Sequence, residues 1–210
     1  GKHLFIEKPM CTTIEDCFSV KRRADAHDGL VWVGLEYRYM PAVALFLQQL
    51  DGGAVGDLKM LSIREHRYPF LVKVDDWNRF TRNTGGTLVE KCCHFFDLMN
   101  LAVGQRPTRV FASGGQDVNH LDEVYGGETS DILDNAFVIV DYPSGGRALL
   151  DLCMFAEGSR WEQEVVVVGD QGKLEANLPN FMELFRGRAP ELVVGSRGPD
   201  WPVTELAVAD

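Results

Sequence analysis

The chain has no apolar run approaching the ~20 residues that a membrane-spanning helix requires, and nothing at its start reads as a secretory signal. It also lacks any run of basic residues: 21 Lys+Arg stand against 31 Asp+Glu, for a net charge of -10 and a pI of about 5.0. That balance argues against a nucleic-acid surface or an anionic membrane as partner. Cysteine is scarce and odd in number, at Cys11, Cys17, Cys92, Cys93 and Cys153. Free thiols in a reducing, cytoplasmic setting are therefore expected. Cys92, Cys93 and His94 are consecutive, but no second Cys/His cluster stands at a ligand spacing, so they read as buried helix residues and no metal site is expected. Internal repeats and low-complexity tracts are absent. What is left, 45% hydrophobic and 25% charged over 210 residues, suits a globular protein with one large core, or one core and a fragment of another.

The strongest chemical signal is Thr84-Gly85-Gly86-Thr87-Leu88-Val89-Glu90-Lys91-Cys92-Cys93-His94-Phe95-Phe96-Asp97-Leu98-Met99. Two glycines break the chain, Thr87 offers a side-chain oxygen to open amides, and a helical pattern follows. On one continuous helix Glu90, His94 and Asp97, at i, i+4 and i+7, share a stripe. Apolar residues cover most of the remaining surface, so the helix is expected to be buried, with its carboxylates and imidazole facing partners or a cavity. Lys91 points off the stripe and is expected at the surface or in a salt bridge.

Earlier in the chain, Leu4-Phe5-Ile6 reads as a short buried strand before Glu7-Lys8-Pro9. Thr12-Thr13 followed by acids starts a helix to about His27. Leu30 to Leu35 is a second strand, leading into Glu36-Tyr37-Arg38-Tyr39, and Pro41 opens a helix to about Leu50, stopped by Gly52-Gly53. This strand–helix rhythm is that of an α/β unit with a parallel sheet. It changes at Asp57. Leu58 to Arg67 alternates as a strand, Tyr68 to Asn83 is a long polar segment, and the central helix ends near Gly104. Strands are then expected at Arg109–Ser113, Asn135–Tyr142, Arg147–Phe155, Glu162–Val168, Lys173–Asn177 and Met182–Phe185. Turns at Pro143–Gly146 and Gly169–Gly172 join neighbours as hairpins. Gln116 to Asp134 reads as a flexible connection, and the residues from Gly195 on as polar turns.

Glu-Lys-Pro after one strand, Glu36 to Pro41 after the next, and the Gly-Gly…Glu-x-x-x-His-x-x-Asp helix occur in that order. Together they resemble the glucose–fructose oxidoreductase/inositol dehydrogenase/MocA family of NAD(P)-dependent oxidoreductases. The resemblance implies an α/β subunit in which a Rossmann domain precedes an α+β domain with an open, mixed, largely antiparallel sheet and helices on one face. Here residues 1–56 would be the last part of the Rossmann domain and 57–210 the substrate and dimerisation domain. The family's G-x-G-x-x-G fingerprint, whose glycines admit the pyrophosphate, is absent. The chain is therefore expected to be an incomplete copy that starts late in the Rossmann domain and stops before the end of the second.

The resemblance further implies roles. Lys8, His94 and Glu90 would be catalytic, and Glu7, Lys8, Glu36 and Arg38 would contact NAD or NADP. Trp77, Asp97 and Glu90 would meet a sugar, cyclitol or related polyol. Glu90 stands where the family more often has Asp, and Glu36 where Asn is common. Arg64, His66, Arg67, Arg79 and Arg82 either line the substrate side or are solvated charges, and Pro9 leaves both peptide isomers open. Hydride transfer between NAD(P) and a secondary alcohol or carbonyl is the expected activity of the full-length form, which is expected to self-associate through the open sheet. A dinucleotide- or sugar-sensing regulator and an NAD-dependent glycosidase are the alternatives.

Overall fold

The structure, a computed structural model, describes residues 1–179, 188–200 and 202–208. Leu4, Phe5 and Ile6 form strand β1 (Leu4–Ile6). Helix α1 (Ile14–Asp25) follows, its first turn closed by Thr13, whose Oγ1 accepts the amide of Asp16 at 3.2 Å. Strand β2 (Val31–Val33) pairs with β1 in parallel, residue for residue from Leu4–Val31 to Ile6–Val33. The strand–helix–strand rhythm is thus realised, but burial is not. Phe5 is 67% exposed and α1 buries no residue, because the two-stranded sheet has a helix against only part of its surface.

A 3-10 turn at Glu36–Tyr39 leads into helix α2 (Pro41–Asp51), with Pro41 in its first turn and Gly52 at its C-terminal cap. Strand β3 (Leu58–His66) follows, then a 3-10 turn at Val74–Arg79 and three short helices: α3 (Thr81–Thr84), α4 (Thr87–Glu90) and α5 (Cys93–Val103). The remaining strands are β4 (Arg109–Gly115), β5 (Val124–Tyr125), β6 (Glu128–Thr129), β7 (Asn135–Asp141), β8 (Arg147–Cys153), β9 (Trp161–Gly169), β10 (Gly172–Pro179), β11 (Glu191–Ser196) and β12 (Val203–Leu206).

Seven of them and β3 make one open sheet in the order β12-β11-β10-β9-β3-β8-β7-β4. Every neighbouring pair in it is antiparallel except β3–β8. The mixed, largely antiparallel sheet expected from the sequence is therefore present, with hairpins at both predicted turns. Strand alternation explains its two faces: β7 buries Ala136, Val138 and Val140 while Phe137 and Ile139 face outward. The inner face packs on Val43 and Phe46 of α2 and on Phe95, Leu98 and Met99 of α5. So α2, which the sequence groups with the first unit, contributes to the core of the second. The outer face is apolar around Met60, Phe137 and Ile139, and it holds a shallow cavity of about 250 Å³ bounded by Met60, Ile139, Leu149, Val166 and Val168.

Two features differ from the sequence expectation. The segment beyond Gly195 carries the end of β11 and all of β12, because β11 is paired to β10 and β12 to β11, partners that local turn residues do not reveal. The connection Gln116–Asp134, expected to be flexible, is pinned instead: the Asp134 carboxylate accepts the amides of Asp117, Val118 and Asn119. These three bonds outweigh the cost of burial and hold the Asp134 pKa down. The strand expected at Met182–Phe185 lies outside the described residues.

Candidate functional site

The site grows from the glycine pair. Gly85 and Gly86 adopt φ of 77° and 82°, and a Cβ on Gly85 would stand 2.8 Å from Val89 Cγ1 and 3.2 Å from the Thr12 carbonyl. The turn therefore places α4 against the loop before α1. Gly86 takes the N-cap position without any side-chain bond, while the Thr87 hydroxyl donates to the Leu133 carbonyl instead of capping. The continuous helix expected here is interrupted at Lys91-Cys92. The amide of Cys92 reaches back five residues to the Thr87 carbonyl at 3.3 Å, and the amides of Phe95 and Phe96 both use the Cys92 carbonyl. The single stripe is split: Glu90 pairs with Lys73, while His94 and Asp97, both on α5, meet Glu36 and Arg38 of the Glu36–Tyr39 turn.

His94 is 2% exposed and stacks flat on Tyr37, with ring centroids 4.4 Å apart and 13° between planes. Its Nε2 lies 3.5 Å from Glu36 Oε1, and its Nδ1 is buried with no hydrogen-bond partner among the described residues. Nε2 is the outward nitrogen, because the Glu36 side chain beyond it is 61% exposed. Burial, then the charges of Lys8 and Lys91, lower the pKa of His94 to about 3, so the ring is neutral at neutral pH. Lys8 follows β1 at a cis Lys8–Pro9 bond, and its Nζ donates to the Glu90 backbone carbonyl at 3.0 Å. The Cys93 thiol uses the same carbonyl at 3.6 Å; burial pushes its pKa up, with Lys8 acting the other way. The buried Glu90 carboxylate pairs with Lys73 at 3.2 Å, and the Lys73 ammonium sits 5.1 Å from the centroid of the half-exposed Trp77 ring.

Beneath the imidazole lies a charged floor. Lys91 is buried rather than at the surface: its Nζ donates to Tyr37 Oη at 2.6 Å and pairs with Glu65 Oε1, from β3, at 2.9 Å. Only the salt-bridge half of the expectation holds, because the break after α4 turns Lys91 toward the sheet. Arg67 Nη1 stands 3.4 Å from both Glu65 and Glu162, and Glu65 Oε2 has no hydrogen-bond partner among the described residues. Burial works against the Lys91 charge, yet the Glu65 carboxylate and Tyr37 offset it and its pKa is raised. The phenol of Tyr37 is pushed up chiefly by burial, with Lys91 opposing. Glu162 is raised by burial and by its neighbour Glu65.

The other residues singled out in the sequence are dispersed. Arg38 and Asp97 form a two-bond ion pair, Nε to Oδ2 and Nη2 to Oδ1, that ties the Glu36–Tyr39 turn to α5. Glu7 is exposed and accepts the Lys8 amide at 3.2 Å. Arg64 pairs with Glu164 and His66 with Asp151 on the large sheet. Arg79 is no solvated loop charge: it is buried and donates to Glu123 and to Tyr125 Oη, locking the β5–β6 hairpin. Three hydrogen bonds, from Tyr125, His120 and Arg79, outweigh the cost of burial and lower the Glu123 pKa to about 2. Arg82, exposed and paired with Glu128, fits the bland expectation, and Arg64 is exposed as well. Sequence reasoning missed Lys73, Glu65 and Glu162. For Glu65 and Glu162 the one local signal is a carboxylate on a strand, which when buried demands a cation; Lys73, in the loop before Val74–Arg79, has none.

Two family profiles match the chain. "Oxidoreductase family, C-terminal alpha/beta domain" matches residues 48–196, and "Oxidoreductase family, NAD-binding Rossmann fold" matches residues 1–35. The Bacillus subtilis (strain 168) protein YteT, which carries an oxidoreductase designation, is 34% identical over 110 residues, 51% of this chain and 26% of that protein. The myo-inositol 2-dehydrogenase of Thermotoga maritima is 25% identical over 176 residues, 84% of this chain and 49% of that enzyme. The chain thus spans half the length, or less, of these curated relatives. Among solved structures, the aldose–aldose oxidoreductase of Caulobacter crescentus, complexed with glycerol, superposes with a TM-score of 0.77 at 18% identity, over 100% of this chain and 57% of that one. That likeness is one of fold.

Proposed function

The chain belongs to the glucose–fructose oxidoreductase/inositol dehydrogenase/MocA family, and on that premise we propose that it carries the nicotinamide and substrate side of an NAD(P)-dependent dehydrogenase. The substrate class is a secondary alcohol, or the matching carbonyl, of a sugar, cyclitol or related polyol, as the inositol dehydrogenases among its relatives suggest. The observation that carries this reading is the meeting of a neutral imidazole and an ammonium at one corner. His94 Nε2 faces outward through Glu36, and Lys8, on the Glu90 carbonyl, is close enough for its charge to act on the ring.

The residues fit the nicotinamide end of a dinucleotide. Lys8 and Glu36 follow the carboxyl ends of parallel strands β1 and β2, where open α/β sheets take their ligands. His94 Nε2 lies beside Glu36, 3.5 Å from its Oε1. When bound, the nicotinamide supplies the hydride acceptor or donor. For oxidation, a substrate hydroxyl displaces the Glu36 carboxylate and gives its proton to Nε2, the ring's own hydrogen standing on Nδ1 in that tautomer. A ring that is uncharged at neutral pH accepts it without prior deprotonation. Lys8 directs its ammonium at the oxygen as negative charge develops there. Glu90 holds Lys8 through its carbonyl and Lys73 through its carboxylate, and Trp77 offers a flat apolar surface to a sugar ring. Arg38 and Asp97 act here by fixing the turn that carries Glu36 and Tyr37.

Two domains are proposed, 1–56 and 57–210, with α2 as the helix that the first lends to the core of the second. The exposed apolar patch on the open sheet supports self-association through that face, and five free thiols support a cytoplasmic setting. The test is His94→Ala in the full-length protein, assayed with a panel of polyols and sugars by NAD(P)H absorbance. Turnover is expected to fall about 10²–10⁴-fold with NAD(P)H affinity nearly unchanged; equal loss of both, or of neither, refutes the assignment.

A further inference from the structure

A buried lysine beneath a catalytic base calls for an explanation beyond stability. An ammonium and a carboxylate taken out of water are weak contributors to folding, and apolar side chains of similar size pack as well. Yet Lys91 and Glu65 are both buried here, and Glu65 keeps one oxygen without a partner among the described residues. The geometry says where that charge is used. Lys91 Nζ donates to Tyr37 Oη at 2.6 Å; the Tyr37 ring lies 4.4 Å from the His94 ring at 13°, and Phe95 meets the same tyrosine edge-on at 5.7 Å. Lys91, Tyr37 and His94 form a chain from the sheet to the imidazole.

We propose that Lys91 and Tyr37 are positioning residues for the His94 base. Lys91 clamps the phenol so that its ring lies flat against the imidazole, and stands beneath that ring as a fixed positive charge. The proposal rests on the dehydrogenase reading for its meaning but not for its test. The charged groups facing His94 come from every element around it: Lys91 from the break after α4, Lys8 from the end of β1, and Glu36 from the turn that also supplies Tyr37. The nearby Glu90 carboxylate is engaged by Lys73. Two cations therefore oppose protonation of the ring, and the one carboxylate beside it is a loose 3.5 Å away. A base held this way stays unprotonated in mildly acidic solution.

The test reads the ring itself, by nitrogen-15 NMR titration of the five histidines of the chain, with His94 identified from its missing signals in His94→Gln. In the wild type, the His94 ring is expected to remain neutral from about pH 8 to about pH 5. The double variant Lys91→Met/Glu65→Gln removes both charges together, so neither is left buried alone. There only the Lys91 contribution, smaller than those of burial and Lys8, is removed, and the His94 midpoint is expected to rise above about 3, read by carrying the titration down to about pH 3; an unmoved midpoint overturns the charge role. Tyr37→Phe keeps the aromatic ring and both charges but frees it from the clamp. It is expected to leave the midpoint in place and to reduce the ring-current shift on the imidazole protons, whereas an unchanged shift overturns the clamp. A protein that passes both readouts but oxidises no polyol keeps this positioning and loses the dehydrogenase reading.

Discussion

Acid should weaken this fold through His94, and the size of the effect follows from its surroundings. The folded protein holds the ring neutral, with a pKa of about 3 set by burial and by Lys8 and Lys91, while an unfolded histidine titrates near ~6.5. Below that value the unfolded chain binds a proton that the folded chain refuses. Stability is therefore unaffected by His94 above about pH 7, and is lost progressively as pH falls toward the folded value. At about pH 5 the gap below the unfolded pKa is ~1.5 units, which at ~1.4 kcal/mol per unit removes about 2 kcal/mol. With a urea m-value on the order of 2 kcal/mol/M, the midpoint should drop by about 1 M between neutral pH and pH 5. Other groups titrate in the same interval, so the comparison is with His94→Gln, which has no ring to protonate. The wild type should lose about 2 kcal/mol more than the variant over that interval. Parallel pH dependences in the two proteins would show that the ring charges freely in the folded state, and the neutral-base mechanism would fail with it.

Two further outcomes test the scaffold. Gly85→Ala should lower stability by about 1–3 kcal/mol, because a side chain at φ of 77° is strained and would press on Val89 and the Thr12 carbonyl; a melting temperature within a degree of wild type would contradict it. Ile139→Glu, on the outer sheet face beside Met60 and Phe137, should shift the protein to a smaller species on gel filtration while leaving its circular dichroism spectrum unchanged, and an unaltered elution volume would remove that face as the contact.

Much of the fold was legible because its signals are local. The alternation in β7 and β8, the turns at Pro143–Gly146 and Gly169–Gly172, Thr13 before α1 and Pro41 at the start of α2 each report on a few neighbouring residues. The candidate site was legible in its members but not in their pairing. His94, Lys8, Glu90 and Glu36 do gather at one corner, yet periodicity assigned Glu90 to His94 on an unbroken helix. The backbone break at Lys91-Cys92 gives Glu90 to Lys73 and Glu36 to His94. Lys91 shows the limit most plainly: its burial depends on Glu65, 26 positions earlier on a strand, and no helical pattern encodes that distance. Arg79, expected either on the substrate side or as a solvated charge, is buried for the same reason, its partners Glu123 and Tyr125 arriving from a hairpin far along the chain.

The place of β3 in the sheet has a mechanical consequence. It is flanked on both sides by paired strands, β8 and β9, and it carries Glu65 under the imidazole. Through Lys91 and Tyr37 the His94 ring is tied to a strand held along both edges. Lys8 rides on a two-strand ribbon whose helix buries nothing, and reaches the same corner through its bond to the Glu90 carbonyl. Exchange of the β3 amides should accordingly be among the slowest in the chain, and a base tied to that strand keeps its place while exposed loops around the corner move.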